Sequence, residues 1–471
     1  MKKLFILNLS YAFIANIIVL VSSTIITLLL PKFMGIENYA YWQLYVLYTT
    51  YTAFFHLGWN DGIYLEYGGV DYSGLNKNKL FSQFVLLIFL NIILVLVVNI
   101  VCLFNFNINE EKLLILRLMT FSTLITVPRG FLMSVLQATN RIKDNSFITI
   151  LEKIVFITLV FIIIIFKINN FYVLVFSDIV SKLFSYIWIV YICRDIVIRK
   201  LSYFSFQLSE IIHTIFSGMK ISIAYIASTL IVNTIRLFIE KSWSVVIFGQ
   251  ISLILSLSNL VTVFVNSIGL VIFPIIRKKN NSELIYLYQS FRNIFTEVSL
   301  LGLSIYFPLK WAMEIWLPNY SEGLKYLLIL FPICIFDGKM AMIFTIFFKS
   351  LRKENTLLMI NLVTLIFSVI LSFIFTILLK DLLLSVMLIL IVLAFRSVIS
   401  EIYLSKYLNI KYLKNIVTEL LIVFWFLIIC LNLDLLKGYF IYISSIFMYL
   451  FVIRNSYLKR MIYEWKNKKK S

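Results

Sequence analysis

Fourteen long apolar runs, separated by short polar joints, fill this chain of 471 residues from one end to the other. A run of about 18 or more apolar residues with few charges can cross a hydrocarbon core ~30 Å thick as a helix. In lipid a helix satisfies its backbone polar groups within its own segment, so these runs are expected to be helical. Composition agrees: 61% of residues are apolar and 14% are charged, against roughly 45–50% and 25% in soluble domains. No joint is long enough to hold a soluble domain of ordinary size. The chain reads as an all-α integral membrane protein with about 14 transmembrane helices, from segment 1 at 6–30 to segment 14 at 438–457.

Basic residues alternate between joints. Lys77 and Lys79, Arg141 and Lys143, Arg194, Arg199 and Lys200, Arg277 to Lys279, Lys349 to Lys353, and Lys406, Lys411 and Lys414 fall on one side. The opposite joints hold mostly single lysines such as Lys32, Lys112, Lys167 and Lys241. By the positive-inside rule both termini are expected in the cytoplasm of a bacterial plasma membrane. The formal charge of +19 then belongs to cytoplasmic joints and to a tail (Lys466, Lys468, Lys469, Lys470) near anionic membrane lipids. No nucleic-acid partner is expected. Cys102, Cys193, Cys334 and Cys430 lie in or beside four different runs, and His56 and His213 lie far apart. No metal or other cofactor is expected from such scattered ligands.

The longest joint, 194–214, divides the first twelve segments into two lobes of six, residues 1–193 and 215–410. Residues 411–471 add segments 13 and 14 and the basic tail. Within the joint, Leu201 to Ile215 mixes apolar and polar positions and is expected to form a helix lying on the membrane surface.

Charges inside a bilayer are costly, at ~2.5–3.5 kcal/mol each on insertion scales, and mark function. The deep bases are Arg129, Lys182, Arg236, Arg292, Lys339 and Arg396; the deep acids are Asp61, Asp178, Glu297 and Asp337. This excess of bases suggests a hydrated, cationic cavity lined by Arg129, Lys339 and Arg396, with Lys182 and Arg292 joining them. Local readings compete. Asp178 and Lys182 are four apart and can neutralise each other, Arg236 is near enough to a helix end to snorkel, and Arg292, about two turns from the cytoplasmic end, could snorkel or line the cavity. Asp337 and Lys339, two apart, point to different faces. Asp337, Glu297 and Asp61 are candidates for coupling transport to an ion. No P-loop and no catalytic constellation are present, so a transporter rather than an enzyme is expected.

The segment Leu30-Pro31-Lys32-Phe33-Met34-Gly35-Ile36-Glu37-Asn38-Tyr39-Ala40-Tyr41-Trp42-Gln43-Leu44 resembles the glycine turn and polar-Leu helix start of the polysaccharide flippases. Leu57 to Gly69 resembles the same family's exit from helix 2. That family, which moves O-antigen and capsule repeat units, belongs to the multidrug/oligosaccharidyl-lipid/polysaccharide exporter superfamily. The resemblance implies the multidrug and toxic compound extrusion fold. It also implies a substrate, an oligosaccharide linked through pyrophosphate to a polyprenol, and, as partners, a polysaccharide polymerase and a chain-length regulator. An ion-coupled drug or small-cation antiporter of the same fold is the alternative; that class would carry an acid-rich cavity.

Overall fold

The computed structural model describes residues 2–104, 109–276, 281–449 and 451, and among them the chain is helical with no strand. Eleven helices among these residues are long and apolar enough to cross a membrane. The first, Ser10–His56, has 47 residues and holds two of the expected segments; shorter apolar helices at Val245–Leu260 and Leu435–Tyr449 stand where segments 8 and 14 are expected. The chain is a multi-pass membrane protein. The joint at 277–279 and the tail from 452, which carry part of the orientation reading, lie outside the described residues.

Helix α1 (Lys2–Thr49) is 48 residues long, roughly 72 Å if straight, more than twice the hydrocarbon thickness. It therefore bends, at Gly35, whose φ of 72° and ψ of 169° suit glycine and strain any other residue. A tight 3₁₀ stretch, Thr50–His56, follows. Leu57 and Gly58 then both adopt left-handed φ values (50° and 89°) and turn the chain into α2 (Trp59–Glu66). The Gly58 amide donates to His56 Nδ1 at 3.2 Å, so this histidine supports the break. Helices α3 (Lys77–Leu103), α4 (Glu110–Ala138), α5 (Ile142–Ile165) and α6 (Phe171–Ile192) complete the first part. There α1 packs on α4, α5 and α6, and α3 on α4.

The joint departs from expectation. It holds one helical turn, α7 (Arg194–Val197), a 3₁₀ turn at Leu201–Tyr203, and an extended stretch before α8 (Leu208–Ser242). No separate surface helix forms over Leu201–Ile215, because its second half is the first turns of the long α8. The joint is pinned instead. Lys77 contacts Asp195 at 2.5 Å, Tyr72 donates to Asp195 at 2.7 Å, and the Ser205 amide donates to Ser82 Oγ at 3.0 Å. Such side-chain bonds compete with helix formation. Burial acts to raise the Asp195 carboxyl, but the hydrogen bonds from Lys77 and Tyr72 outweigh it and hold it below the usual range.

The second part contains α8, α9 (Val245–Ile276), α10 (Asn281–Gly302) and α11 (Tyr306–Trp316). A broken crossing follows, Leu327–Ser350. It consists of the short helices α13 (Leu327–Leu330) and α14 (Ile333–Lys339), a wide π turn at Met340–Phe344, and α15 (Thr345–Ser350), with the single turn α12 (Ser321–Leu324) ahead of them. Pro332 and the π turn account for the breaks. Then come α16 (Glu354–Ser372), α17 (Leu382–Tyr407), α18 (Leu413–Asn432) and α19 (Leu435–Tyr449).

Two helix crossings join the parts: α1 on α9 and α2 on α8. Both depend on glycine. A Cβ at Gly249 would lie 2.3 Å from the Ala40 Cβ, and one at Gly218 would lie 2.1 Å from the Gly58 carbonyl oxygen and 2.2 Å from the Gly62 nitrogen. At the α2–α8 crossing the backbones touch, and Ser222 donates to Asp61 while Thr214 donates to Glu66 at 2.7 Å. Lys79 adds bridges to Glu66 (3.1 Å) and Glu210 (3.3 Å). Near the α1–α9 crossing Trp316 donates to the Leu28 carbonyl (2.8 Å), Tyr320 reaches the Pro31 and Gly35 carbonyls (3.3 Å each), and Lys32 sits 3.3 Å from the Trp316 ring centre.

Candidate functional site

The deep charges fall into separate groups. In the first part Arg129, beside Pro128 on α4, pairs with Glu152 of α5 and donates to Ser185 of α6 at 2.6 Å. Lys153 contacts the other oxygen of Glu152 at 3.2 Å. Lys182 and Asp178 pair along α6 at 2.6 Å, as their spacing allows, and Asp178 also accepts from Tyr45 of α1 at 2.8 Å.

In the second part Lys339 is 1% exposed and lies between two glutamates, Glu401 of α17 (2.6 Å) and Glu419 of α18. Arg292 of α10 adds a contact to Glu401 at 3.6 Å and donates to the Lys411 carbonyl at 3.3 Å. Two cations and two carboxylates close this cluster. Arg396 of α17 is bound mainly by neutral groups, Asn361 of α16 (2.9 Å) and Ser228 of α8 (2.8 Å). Asp337 stands 3.9 Å from it.

Arg129, Lys339 and Arg396 thus end in three different partner sets rather than on one shared wall. Arg129 and Lys339 are engaged in ion pairs, and Lys339 has almost no accessible surface. The pair Arg396–Asp337 is different. Asp337 lies mid-crossing between residues that are almost wholly buried, yet a third of its side chain (33%) is accessible. Among the described residues this is the most enclosed crossing, and Asp337 keeps part of its carboxylate accessible within it. Of the remaining acids, Asp61 belongs to the α2–α8 crossing and Glu297 is half-buried on α10.

No protein-family profile matches the sequence, and no curated protein matches it as a relative. Solved structures do match. A structure described as the lipid II flippase MurJ in an inward closed conformation superposes with a TM-score of 0.66 at 16% identity, covering 96% of this chain and 100% of that one. An inward-facing multidrug resistance MATE family transporter of the MOP superfamily gives 0.64 at 13% identity, covering 84% and 98%. A MATE complexed with MaD3S gives 0.53 at 14%, covering 85% and 96%. The chain has the fold of the MOP superfamily.

Within this MOP fold, several residues that matter escaped the sequence reading. Glu152, Glu401 and Glu419 sit close enough to helix ends by count to look interfacial, yet all three are buried. They neutralise three of the bases that were expected to line a cavity, Arg129, Arg292 and Lys339. Arg236 was expected to snorkel; its guanidinium instead turns inward, donating to Ser252 of α9 at 2.9 Å and Asn233 at 3.3 Å. The signal available for Glu419 was the presence of one carboxylate in the added segment 13, which otherwise reads as a lipid-facing helix.

Proposed function

We propose that this protein moves a lipid-linked, anionic glycan across the bacterial plasma membrane by alternating access. The substrate of this reading is an oligosaccharide repeat unit on a polyprenyl pyrophosphate, used for surface polysaccharide such as O-antigen or capsule. The observation that carries it is Arg396. Its buried guanidinium is held mainly by neutral Asn361 and Ser228, with the partly accessible Asp337 carboxylate only at 3.9 Å, so its charge is the least neutralised of the three and would meet phosphate oxygens when the lobes part. A glycan pyrophosphate cannot enter hydrocarbon unaided, because its polar groups would lose water without compensation. The likeness to a lipid II flippase supports the same substrate class.

In this reading residues 1–193 and 215–410 are two lobes that rock about the crossings α1–α9 and α2–α8, and both termini are cytoplasmic. The α2–α8 crossing then faces the cytoplasm. A polymerase and a chain-length regulator would act on the delivered glycan. Asp337, beside Arg396, is the acid placed to couple an ion to the cycle. The test is translocation of a fluorescent polyprenyl-pyrophosphate glycan in inverted vesicles, with and without Arg396→Gln. Translocation that depends on the protein and falls at least tenfold in the variant is expected. Uptake of organic cations with no glycan translocation would instead establish the drug-antiporter reading.

A further inference from the structure

We infer that the cavity between α11 and the turn joining α18 to α19 binds the headgroup of a zwitterionic phospholipid with a primary amine, phosphatidylethanolamine. The cavity has a volume of about 390 Å³, within the roughly 300–1,000 Å³ of small-ligand sites. Tyr306, Phe307, Lys310 and Glu314 of α11 form one wall, and Cys430 and Asp434 belong to the other. Helix α11 makes the last turns of the crossing Glu283–Trp316, α18 ends at Asn432 and α19 begins at Leu435. The cavity therefore stands where three membrane helices reach the water. Trp311 and Leu436, on the same two walls, are exposed, as suits side chains at a lipid boundary. The site shares no residue with the groups around Arg129, Lys339 and Arg396.

The charges on these walls stand close without closing. Lys310 is 3.9 Å from Glu314, and Asp434 is 3.7 Å from Lys437, just beyond the cavity. Both gaps exceed hydrogen-bond distance, and accessible pairs of this kind contribute little by themselves. Lys182 and Lys339, by contrast, meet their carboxylates at 2.6 Å. One ammonium and two carboxylates thus keep hydrogen-bonding capacity for a ligand that carries both signs of charge. Their order gives the ligand a direction. The Lys310 side chain is 22% accessible, Glu314 44% and Asp434 84%, so the base is sheltered and the acids lie outermost. Four residues of helix set Lys310 and Glu314 about 6 Å apart along the axis, a separation that a phosphate and an amine joined by two carbons can span. With its phosphate on Lys310 and its ammonium on Glu314 and Asp434, the headgroup makes charge-assisted bonds at both ends. A trimethylated amine has no N–H to donate and a glycerol headgroup has no cation, so phosphatidylcholine and phosphatidylglycerol each leave the carboxylates without a donor.

The test uses the purified full-length protein in detergent and does not depend on what it transports. Native mass spectrometry compares retention of phosphatidylethanolamine, phosphatidylcholine and phosphatidylglycerol with identical acyl chains. Retention of the ethanolamine lipid at least fivefold above the other two is expected. A phosphatidylethanolamine with a photoreactive group near its headgroup is expected to crosslink to peptides spanning 306–314 and 430–437. Lys310→Gln and Glu314→Gln should each lower retention fivefold or more, whereas Lys325→Gln, an exposed charge loss outside the cavity, leaves it unchanged. Equal retention of the choline lipid, or wild-type retention in both cavity variants, overturns the inference. So does crosslinking confined to other helices of the wild-type protein, a result that holds even if a variant fails to fold. Binding of free phosphoethanolamine without crosslinking by the lipid would assign the cavity to a soluble amine phosphate and overturn the lipid assignment.

Discussion

Replacing Gly218 by Ala perturbs the α2–α8 crossing with a single methyl group. Its Cβ would stand 2.1 Å from the Gly58 oxygen, and ordinary contact begins near 3.4 Å. Both nearest atoms are backbone, so no side chain can swing aside, and α2 and α8 must part by about 1.3 Å. Overpacking of this kind costs roughly 1–3 kcal/mol. The shift also strains the Ser222–Asp61 and Thr214–Glu66 hydrogen bonds, and bonds to charged acceptors are worth about 1.5–3 kcal/mol each. The assay pairs denaturant unfolding in detergent with spin labels at Leu65 and Ile212, both accessible on either side of the crossing, in a background without native cysteines. A longer label distance and a loss of at least 1 kcal/mol are expected. Gly302 is the control, since nothing lies within 4 Å of an added Cβ there; its alanine variant is expected to be neutral or slightly stabilising by helix propensity. A Gly218→Ala protein with unchanged stability and distance would refute the backbone contact.

Lys339→Met leaves Glu401 and Glu419 facing each other in a buried site, and unfolding in detergent should report a loss of about 3–5 kcal/mol. Adding Glu419→Gln should recover part of that loss; no recovery would mean the cluster is not one unit. Trp316→Ala removes the bond to the Leu28 carbonyl and the contact with Lys32. A cysteine placed at Ala40, now fully buried, should then react several-fold faster with a thiol reagent. Asp195 has a depressed folded pKa, so its tether to the joint is present above the unfolded value, ~3.9, and is lost as pH falls through the folded one. Protease cleavage at the exposed residues 198–206 should accelerate below about pH 4 in the wild type and be fast at every pH in Asp195→Asn.

Crossing helices and their number were legible because hydropathy and length act locally, residue by residue. Local pairs were legible too: Asp178 and Lys182 meet because four residues make one helical turn. Asp337 and Lys339 were rightly separated, the first going to Arg396 and the second to the glutamates. What a single chain of letters does not display is which distant carboxylate a base will meet. Glu401 and Glu419 lie 62 and 80 residues beyond Lys339, and only packing of α17 and α18 against α14 brings them there. Arg236 illustrates the opposite error. Its distance from a helix end suggested escape to the interface, but Ser252 and Phe248 on the next helix turn it inward. The joint misled because the Asp195 carboxylate and the Ser205 amide found partners at Tyr72 and on α3, outside the window any periodicity measures.

The cluster around Lys339 also has a history within each molecule. The ribosome delivers Lys339 to the membrane before either glutamate has been made, and Glu419 arrives last. Until then the lysine must stay near water or remain poorly inserted, since a lone charge at depth is strongly disfavoured. The broken crossing Leu327–Ser350 therefore gains its first counter-charge only with Glu401 of α17, and its charges balance only once α18 brings Glu419. A chain halted after α17 would keep Lys339 with Glu401 and Arg292 alone, a site with an excess of positive charge. Helix α18 is in this sense not an appendage but the step that balances the charge buried by the helices before it.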